Sequence, residues 1–231
     1  MTDKRLKADL HIHSEYSMDC QTPLDKIIRR CQALGIGCVA IADHGTADGG
    51  LELAKIAPPS LTVIVAEEVL TTSGEIMGMF LKETVPSGLS LRESIKLIKT
   101  QGGLVNVPHP FDTFPRSGIG LEALEEVAGE LDLIEVFNAR SPYPQPSSKA
   151  LEFALKHRLP TSAGSDAHTT GEIGNAFVEM PVFANKDEFL ASLAKGSIKG
   201  HKTSPLVHFA SMWAKIKNGK TKHSLIRGQD V

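Results

Sequence analysis

The sequence predicts an α/β fold in which parallel strands close into a barrel, and three observations carry that expectation. Short apolar runs of strand length alternate with segments of helical period along most of the 231 residues, as in repeated βαβ units. Nearly every such run ends in a polar cluster, and sites on parallel sheets gather at the carboxyl ends of the strands. A barrel collects those ends around one mouth, which suits five or more clusters that must converge. No stretch is rich enough in Pro, Ser or Gly to divide the chain. Residues 1–204 are therefore expected to form one barrel domain, and residues 205–231 a basic tail, helical but not a separate domain.

The elements follow in order. Asp9-Leu10-His11-Ile12-His13 is expected on the first strand. Thr22-Pro23 with Asp25 supplies an N-cap and a proline at the first helical position, then Ile27, Ile28, Cys31 and Leu34 recur at helical spacing until Gly35. Residues 37–42 are apolar without alternation, as in a strand covered on both faces, and run into Asp43-His44. A helix over residues 46–56 leads to a strand over 61–66 and then Glu67-Glu68. Ser90 and Glu93 form a capping box before a helix that Gly102-Gly103 ends, and residues 104–107 run as a strand into Pro108-His109-Pro110. A helix near 120–130 precedes the strand 132–137 and Asn138. A helix near 147–157 precedes residues 160–164 and then Ser165-Asp166-Ala167-His168. The proline-rich segment 140–148 reads as a rigid loop near the same mouth.

Composition excludes several classes. Hydrophobic residues make up 41% and charged residues 23%, close to ordinary globular domains and unlike a disordered chain. The longest apolar runs, 38–42 and 61–66, fall far short of the roughly 18–20 residues of a membrane span. The charged start MTDKRLK lacks the apolar core of a secretory signal, so a cytoplasmic protein is expected. Three cysteines without C-x-x-C spacing give neither a disulfide framework nor a thiolate zinc site and are expected to be reduced and structural. Charge is unevenly spread: residues 195–231 hold eight Lys/Arg against one acid, and residues 1–194 hold 17 basic against 26 acidic residues. An acidic body can carry carboxylates that a metal neutralises, and a basic tail can meet a phosphate-bearing substrate or lie on the body. There is no P-loop, G-x-S-x-G elbow or G-x-G-x-x-G.

His11 and His13 carry the strongest local signal, because strand residues two apart face the same way and both imidazoles can reach one ion. Asp19 follows, His44 and Glu68 close the next strands, His109 and Asn138 end two more, and Asp166 with His168 repeats the spacing. Imidazoles and carboxylates without thiolates suit Zn, Mn or Fe, and this many donors exceeds one tetrahedral site, so two or three divalent ions are expected. Ions a few ångströms apart around a bridging carboxylate favour displacement at a phosphoester. Arg116 and Arg140 follow strand-end clusters and are expected either to grip phosphate oxygens or to pair with carboxylates. Asp9 is expected to orient a ligand histidine, and Asp43 to support His44, to relay a proton or to play a purely structural part. His157, His201, His208 and His223 read as surface residues.

His11-Ile12-His13-Ser14, Asp43-His44-Gly45, Glu68, Pro108-His109-Pro110 and Gly164-Ser165-Asp166-Ala167-His168 together resemble the motifs of the PHP (polymerase and histidinol phosphatase) superfamily, in order over residues 8–200. That resemblance implies a distorted (β/α)7 TIM-like barrel, a metal cluster and phosphoesterase activity. It implies one site of His11, His13, Glu68 and Asp166, a second of Asp19, His44 and the bridging Glu68, and a third of His109, Asn138 and His168. The implied substrate is a phosphomonoester, a small metabolite or nucleotide. A nucleic-acid substrate is the alternative; metal-dependent amide or lactone hydrolysis and a non-catalytic metal module stand further off.

Overall fold

The computed structural model describes residues 4–112, 118–145 and 147–204. Arg116 and the tail 205–231 lie outside the described residues. The chain alternates β1 (Arg5–Ile12), α1 (Leu24–Leu34), β2 (Ile36–His44), α2 (Asp48–Ile56), β3 (Thr62–Thr71), β4 (Gly74–Met79), α3 (Leu91–Thr100) and β5 (Leu104–Val107). It continues with α4 (Leu121–Val127), a short 3-10 turn (Ala128–Glu130), β6 (Leu133–Asn138), α5 (Ser148–His157), β7 (Thr161–Gly164), β8 (Ala176–Pro181), α6 (Lys186–Leu193) and β9 (Ser197–Gly200). Every helix expected within the barrel domain is present, and α1 stops where expected, at Gly35 in the left-handed region with φ 65°. α3 carries the full Ser90/Glu93 capping box.

The sheet runs β7-β6-β5-β4-β3-β2-β1-β8-β9. β1, β2 and β3 are mutually parallel, as are β5, β6 and β7, while β4 lies antiparallel between β3 and β5 and β8 antiparallel beside β1. The two parallel halves share one direction because β4 reverses it twice. The end of β7 returns to β1: Asp166 N–H donates to His11 O at 2.7 Å, His13 N–H donates to Ala167 O at 2.9 Å, and Ile12 bridges Ala167 in parallel. The sheet is thus a nearly closed, distorted barrel, and the inserted β4, β8 and β9 are the features that the sequence pattern does not announce.

Alternation along the strands divides the core. Ala8, Leu10, Ala40, Ala66, Met77, Leu133, Ala163 and Val178 meet inside the barrel, where Phe189 of α6 joins them. The opposite faces pack beneath helices: Val39 and Ile41 with Ile27 and Cys31 of α1, and Val105 and Ile134 with Ile95 of α3 and Phe153 of α5. The three cysteines are free and buried, and burial pushes the Cys20 and Cys31 thiols up to about 11 and about 12. Thiolate chemistry is closed to them. No helix among the described residues is long and apolar enough to cross a membrane.

Candidate metal centre

Strict alternation from Leu10 would send His11 and His13 outward, away from the barrel interior. The register of β1 against β2 is irregular between Asp9 and Ile12, and Ile12 accordingly packs with the outer cluster while Leu10 packs inside. This bulge turns both imidazoles toward the mouth. On β2 and β3 the alternation is regular: Ala40 and Ala42 lead inward to His44, and Ile64 and Ala66 lead inward to Glu68. His109 and Asp166 follow β5 and β7 in the left-handed backbone region, with φ of 29° and 53°. Non-glycine residues held there are strained by about 1–3 kcal/mol each and concentrate at functional sites.

The donors converge on Glu68. Its Oε1 lies 2.9 Å from His109 Nε2 and 3.3 Å from His11 Nε2, and its Oε2 lies 3.3 Å from His13 Nε2 and 3.2 Å from His44 Nδ1. Asp166 Oδ1 stands 3.3 Å from His13 Nε2, and His11 Nε2 and His13 Nε2 are 3.2 Å apart. Asp19 Oδ2 stands 3.2 Å from His168 Nε2 and 3.5 Å from His44 Nε2. Three groupings place their ligand atoms within 4.8 Å of one another: His13, Asp19, His44 and His168; His11, Glu68 and His109; and His11, His13 and Asp166. Glu68 touches members of all three, the placement of a bridging carboxylate.

The electrostatics call for cations. Burial would lower His13, but hydrogen bonds to Asp166 and Glu68 outweigh it and lift the imidazole to about 9; His11 and His44 are raised by carboxylates in the same way. Burial would raise Asp19 and Glu68, yet the surrounding imidazoles hold both well below the usual carboxylate range. His168 falls to about 3 through burial and the neighbouring His13 and Arg140. Buried carboxylates packed this closely are expensive unless positive charge accompanies them. The imidazoles and carboxylates of the three groupings, with no thiolate among them, fit divalent Zn, Mn or Fe.

Several expectations change. Asn138 sits beside the centre: its Oδ1 accepts the Arg140 and Ser141 N–H groups at 3.0 and 3.1 Å, and its Nδ2 donates to Glu135 and Asp166 at 2.9 and 3.1 Å. His168 stands with Asp19 and His44 instead of with His109. Asp43 accepts the Ser14 N–H and Oγ–H on its two oxygens, both at 2.6 Å. It anchors the loop that carries His13 and Asp19. Asp9 does not orient an imidazole; it accepts the Ser165 and Gly174 N–H groups, both at 2.9 Å, and fastens β1 to the segment bearing Asp166 and His168. Glu67 faces away from the centre and accepts the Val85 N–H at 2.8 Å. Thr22 is not a cap: its hydroxyl donates to His168 O at 3.1 Å. Arg140 is buried at the edge of the centre, its Nε 3.2 Å from Glu172 Oε1.

Glu135 is the residue that sequence reasoning missed. Its Oε1 lies 3.1 Å from His11 Nδ1, and its Oε2 accepts the His109 N–H at 2.9 Å. With the carboxylate as acceptor the proton sits on Nδ1, which leaves the Nε2 lone pair of His11 facing the centre. The only sequence signal was one acid inside the apolar run 133–137. Glu172, which holds the His168 N–H at 3.1 Å and pairs with Arg140, carried no pattern at all.

Comparison with known proteins agrees with this arrangement. A family model of the PHP domain matches residues 9–104, and one described as PHP-associated matches residues 144–198. An uncharacterized protein of Methanocaldococcus jannaschii is 36% identical over 178 residues, covering 76% of this chain and 70% of its own length. Among solved structures, a two-domain protein of Bacteroides vulgatus described as containing a predicted PHP-like metal-dependent phosphoesterase superposes with a TM-score of 0.63 at 19% identity, over 86% of this chain and 65% of that one. The lesion-specific endonuclease PfuEndoQ of Pyrococcus furiosus superposes with a TM-score of 0.66 at 19% identity, over 85% of this chain and 57% of that one. This chain spans about two thirds or less of the length of either solved protein. Motifs, fold and sequence relatives converge on one conclusion: the chain belongs to the PHP-domain family.

Proposed function

We propose that the protein is a metal-dependent hydrolase of phosphoric esters, acting on a phosphomonoester of a small metabolite or nucleotide. The observation that carries the reading is the convergence on Glu68 of imidazoles from the end of β1, from β2 and from the loop after β5, each within 3.3 Å of its oxygens. His11, His13, Glu68, Asp166 and His109 would hold one part of a two- or three-ion cluster, and Asp19, His44 and His168 the other. When bound, such ions supply Lewis acidity toward a phosphoryl oxygen and lower the pKa of a water.

The chain's own residues supply orientation. Glu135 keeps the proton of His11 on Nδ1, and Ser17 Oγ donates to Asp19 Oδ1 at 2.9 Å and fixes that carboxylate toward His44 and His168. Arg140 is the described cation buried beside His168, and a guanidinium there would steady charge that grows on phosphate oxygens. Its Glu172 partner holds the same loop as His168. Structural relatives described as a PHP-like phosphoesterase and as an endonuclease support phosphoester chemistry of this class.

The test is elemental analysis of protein purified without chelator, joined to phosphate release from nucleotides, sugar phosphates and short RNA with added Mn2+. Two or three ions per chain, with release that collapses in His13→Ala, are expected. Absence of stoichiometric metal and of release after Mn2+ loading would leave a binding module instead. Metal-dependent amide hydrolysis is the competing chemistry, and turnover insensitive to Arg140→Ala would favour it.

A further inference from the structure

The metal centre opens on one side. Of its eight candidate ligand side chains, His44 is 24% exposed, whereas the other seven are no more than 5% exposed. Arg140, beside His168, is buried as well. Among the described residues, the way to the ligands therefore leads past His44. What stands around His44 follows from strand alternation. On β4, Met79 and Met77 point into the barrel, so Glu75, two residues nearer the mouth, points the same way. Its Oε1 lies 3.9 Å from His44 Nδ1. On β3, Ile64, Ala66 and Glu68 form the inward row, and Leu70 continues it at 47% exposure, opposite Glu75 in the antiparallel pair.

This rim is held in place. The hairpin of β3 and β4 is fastened to the segment before α3, where the Thr72 N–H donates to Leu89 O at 2.9 Å and the Gly88 N–H to Leu70 O at 2.7 Å. Its turn is closed by the Thr71 hydroxyl, which donates to Gly74 O at 2.6 Å. His44 is fixed from the other side, where Ser17 Oγ accepts its N–H at 3.4 Å. The open side of the mouth thus presents a carboxylate and an apolar side chain on a braced hairpin, while Arg140 brings positive charge to the centre from beside His168.

We infer that Glu75 is a specificity-determining residue: it selects an ester whose alcohol carries hydroxyl or ammonium donors and no second anionic group, with the carbon face of that alcohol on Leu70. A phosphomonoester has one anionic end, which the ions and Arg140 would take, so the alcohol must extend toward the opening. There a carboxylate accepts O–H or N–H groups and repels a further phosphate or carboxylate. Singly phosphorylated sugars, nucleosides and amino alcohols fit this rim. Bisphosphates, phosphorylated acids and the internal linkages of a polyanion do not. The inference rests on the phosphoesterase reading for which end of the substrate is held, and deepens it by naming the class of alcohol.

The test uses full-length, Mn2+-loaded protein and three aryl phosphates of one shape, phenyl, p-aminomethylphenyl and p-carboxyphenyl phosphate, with the matching phosphonates as non-hydrolysed ligands in calorimetry. The preference for the ammonium member over the carboxylate member is expected to fall about tenfold in Glu75→Gln, in kcat/KM and in phosphonate affinity alike, because one unit charge leaves the mouth. Glu75→Asp, which keeps the charge, is expected to retain most of the preference. Comparing each variant with the parent cancels the intrinsic difference between leaving groups, and because a preference is a ratio, partial loss of metal or of folded protein cancels as well. In the parent the preference is expected to narrow as salt rises. A preference that neither Glu75→Gln nor salt moves would overturn the inference. Turnover of the esters with an unmoved preference would sink the inference alone; phosphonate binding whose charge selectivity depends on Glu75, without turnover of any ester, would sink the hydrolase reading alone.

Discussion

His11 can offer Nε2 to an ion only while its other nitrogen is held, and Glu135 does the holding at 3.1 Å. The same carboxylate fixes the backbone of His109 and the amide of Asn138, so one buried acid sets three neighbours. Glu135→Gln keeps the size and loses the charge. It is expected to lower metal affinity by about 10–100-fold with the fold intact, checked by competition against a chromophoric chelator together with circular dichroism. Unchanged affinity would reduce Glu135 to a packing residue. At this scale the sequence was legible where spacing carries meaning: His11 and His13 at i, i+2, and Asp166 and His168 likewise. It was not legible where a partner comes from far along the chain. Asn138 drew attention as the polar residue at a strand end, whereas Glu135 lies three positions earlier in an apolar run, and only the pairing of β6 with its neighbours turns it inward.

β7 is four residues long, Thr161–Gly164, yet it closes the barrel against β1. Gly164 is what permits the approach. A Cβ there would fall 2.2 Å from His11 Cβ and 2.7 Å from His11 N, and a backbone nitrogen cannot swing aside as a side chain can. Gly164→Ala is expected to cost about 2–4 kcal/mol and to reduce metal affinity at the same time, because it pushes directly on His11. Chemical denaturation and metal titration read the two effects. Ser90→Ala is the matching control: loss of the α3 cap costs about 1 kcal/mol and leaves metal affinity unchanged, since the capping box holds no ligand and touches none. The helices were legible because caps and glycine stops are local chemistry, and the strands that end in ligands were legible as apolar runs. β4, β8 and β9 were not. β4 is Gly-Glu-Ile-Met-Gly-Met and β9 only Ser-Ile-Lys-Gly, sequences with little alternation and no polar cluster, and their places are set by pairing with β3, β5 and β8.

At the scale of the whole molecule, the centre joins parts that are far apart in sequence. Its candidate ligands come from β1, β2 and β3 at one end of the chain's path and from the loops after β5 and β7 at the other, so the cluster spans the seam where the sheet meets itself. Without ions, that seam presses together carboxylates and imidazoles whose mutual attraction must offset the loss of hydration. With ions, the same groups become ligands that exist as a set only in the folded chain. Binding to the native state alone adds RT ln(1 + [L]/Kd), about 2.7 kcal/mol at a concentration one hundred times Kd. For a domain of this length that corresponds to a rise of roughly 5–10 °C in melting temperature. Mn2+-loaded protein is therefore expected to melt that much higher than chelated protein, with the rise growing as the logarithm of free metal. In His13→Ala the rise should shrink, because His13 contributes to two of the three ligand groupings. Equal melting temperatures with and without metal would mean that the seam is closed by its backbone bonds alone, and that the buried charges are balanced by the protons that His11, His13 and His44 take up.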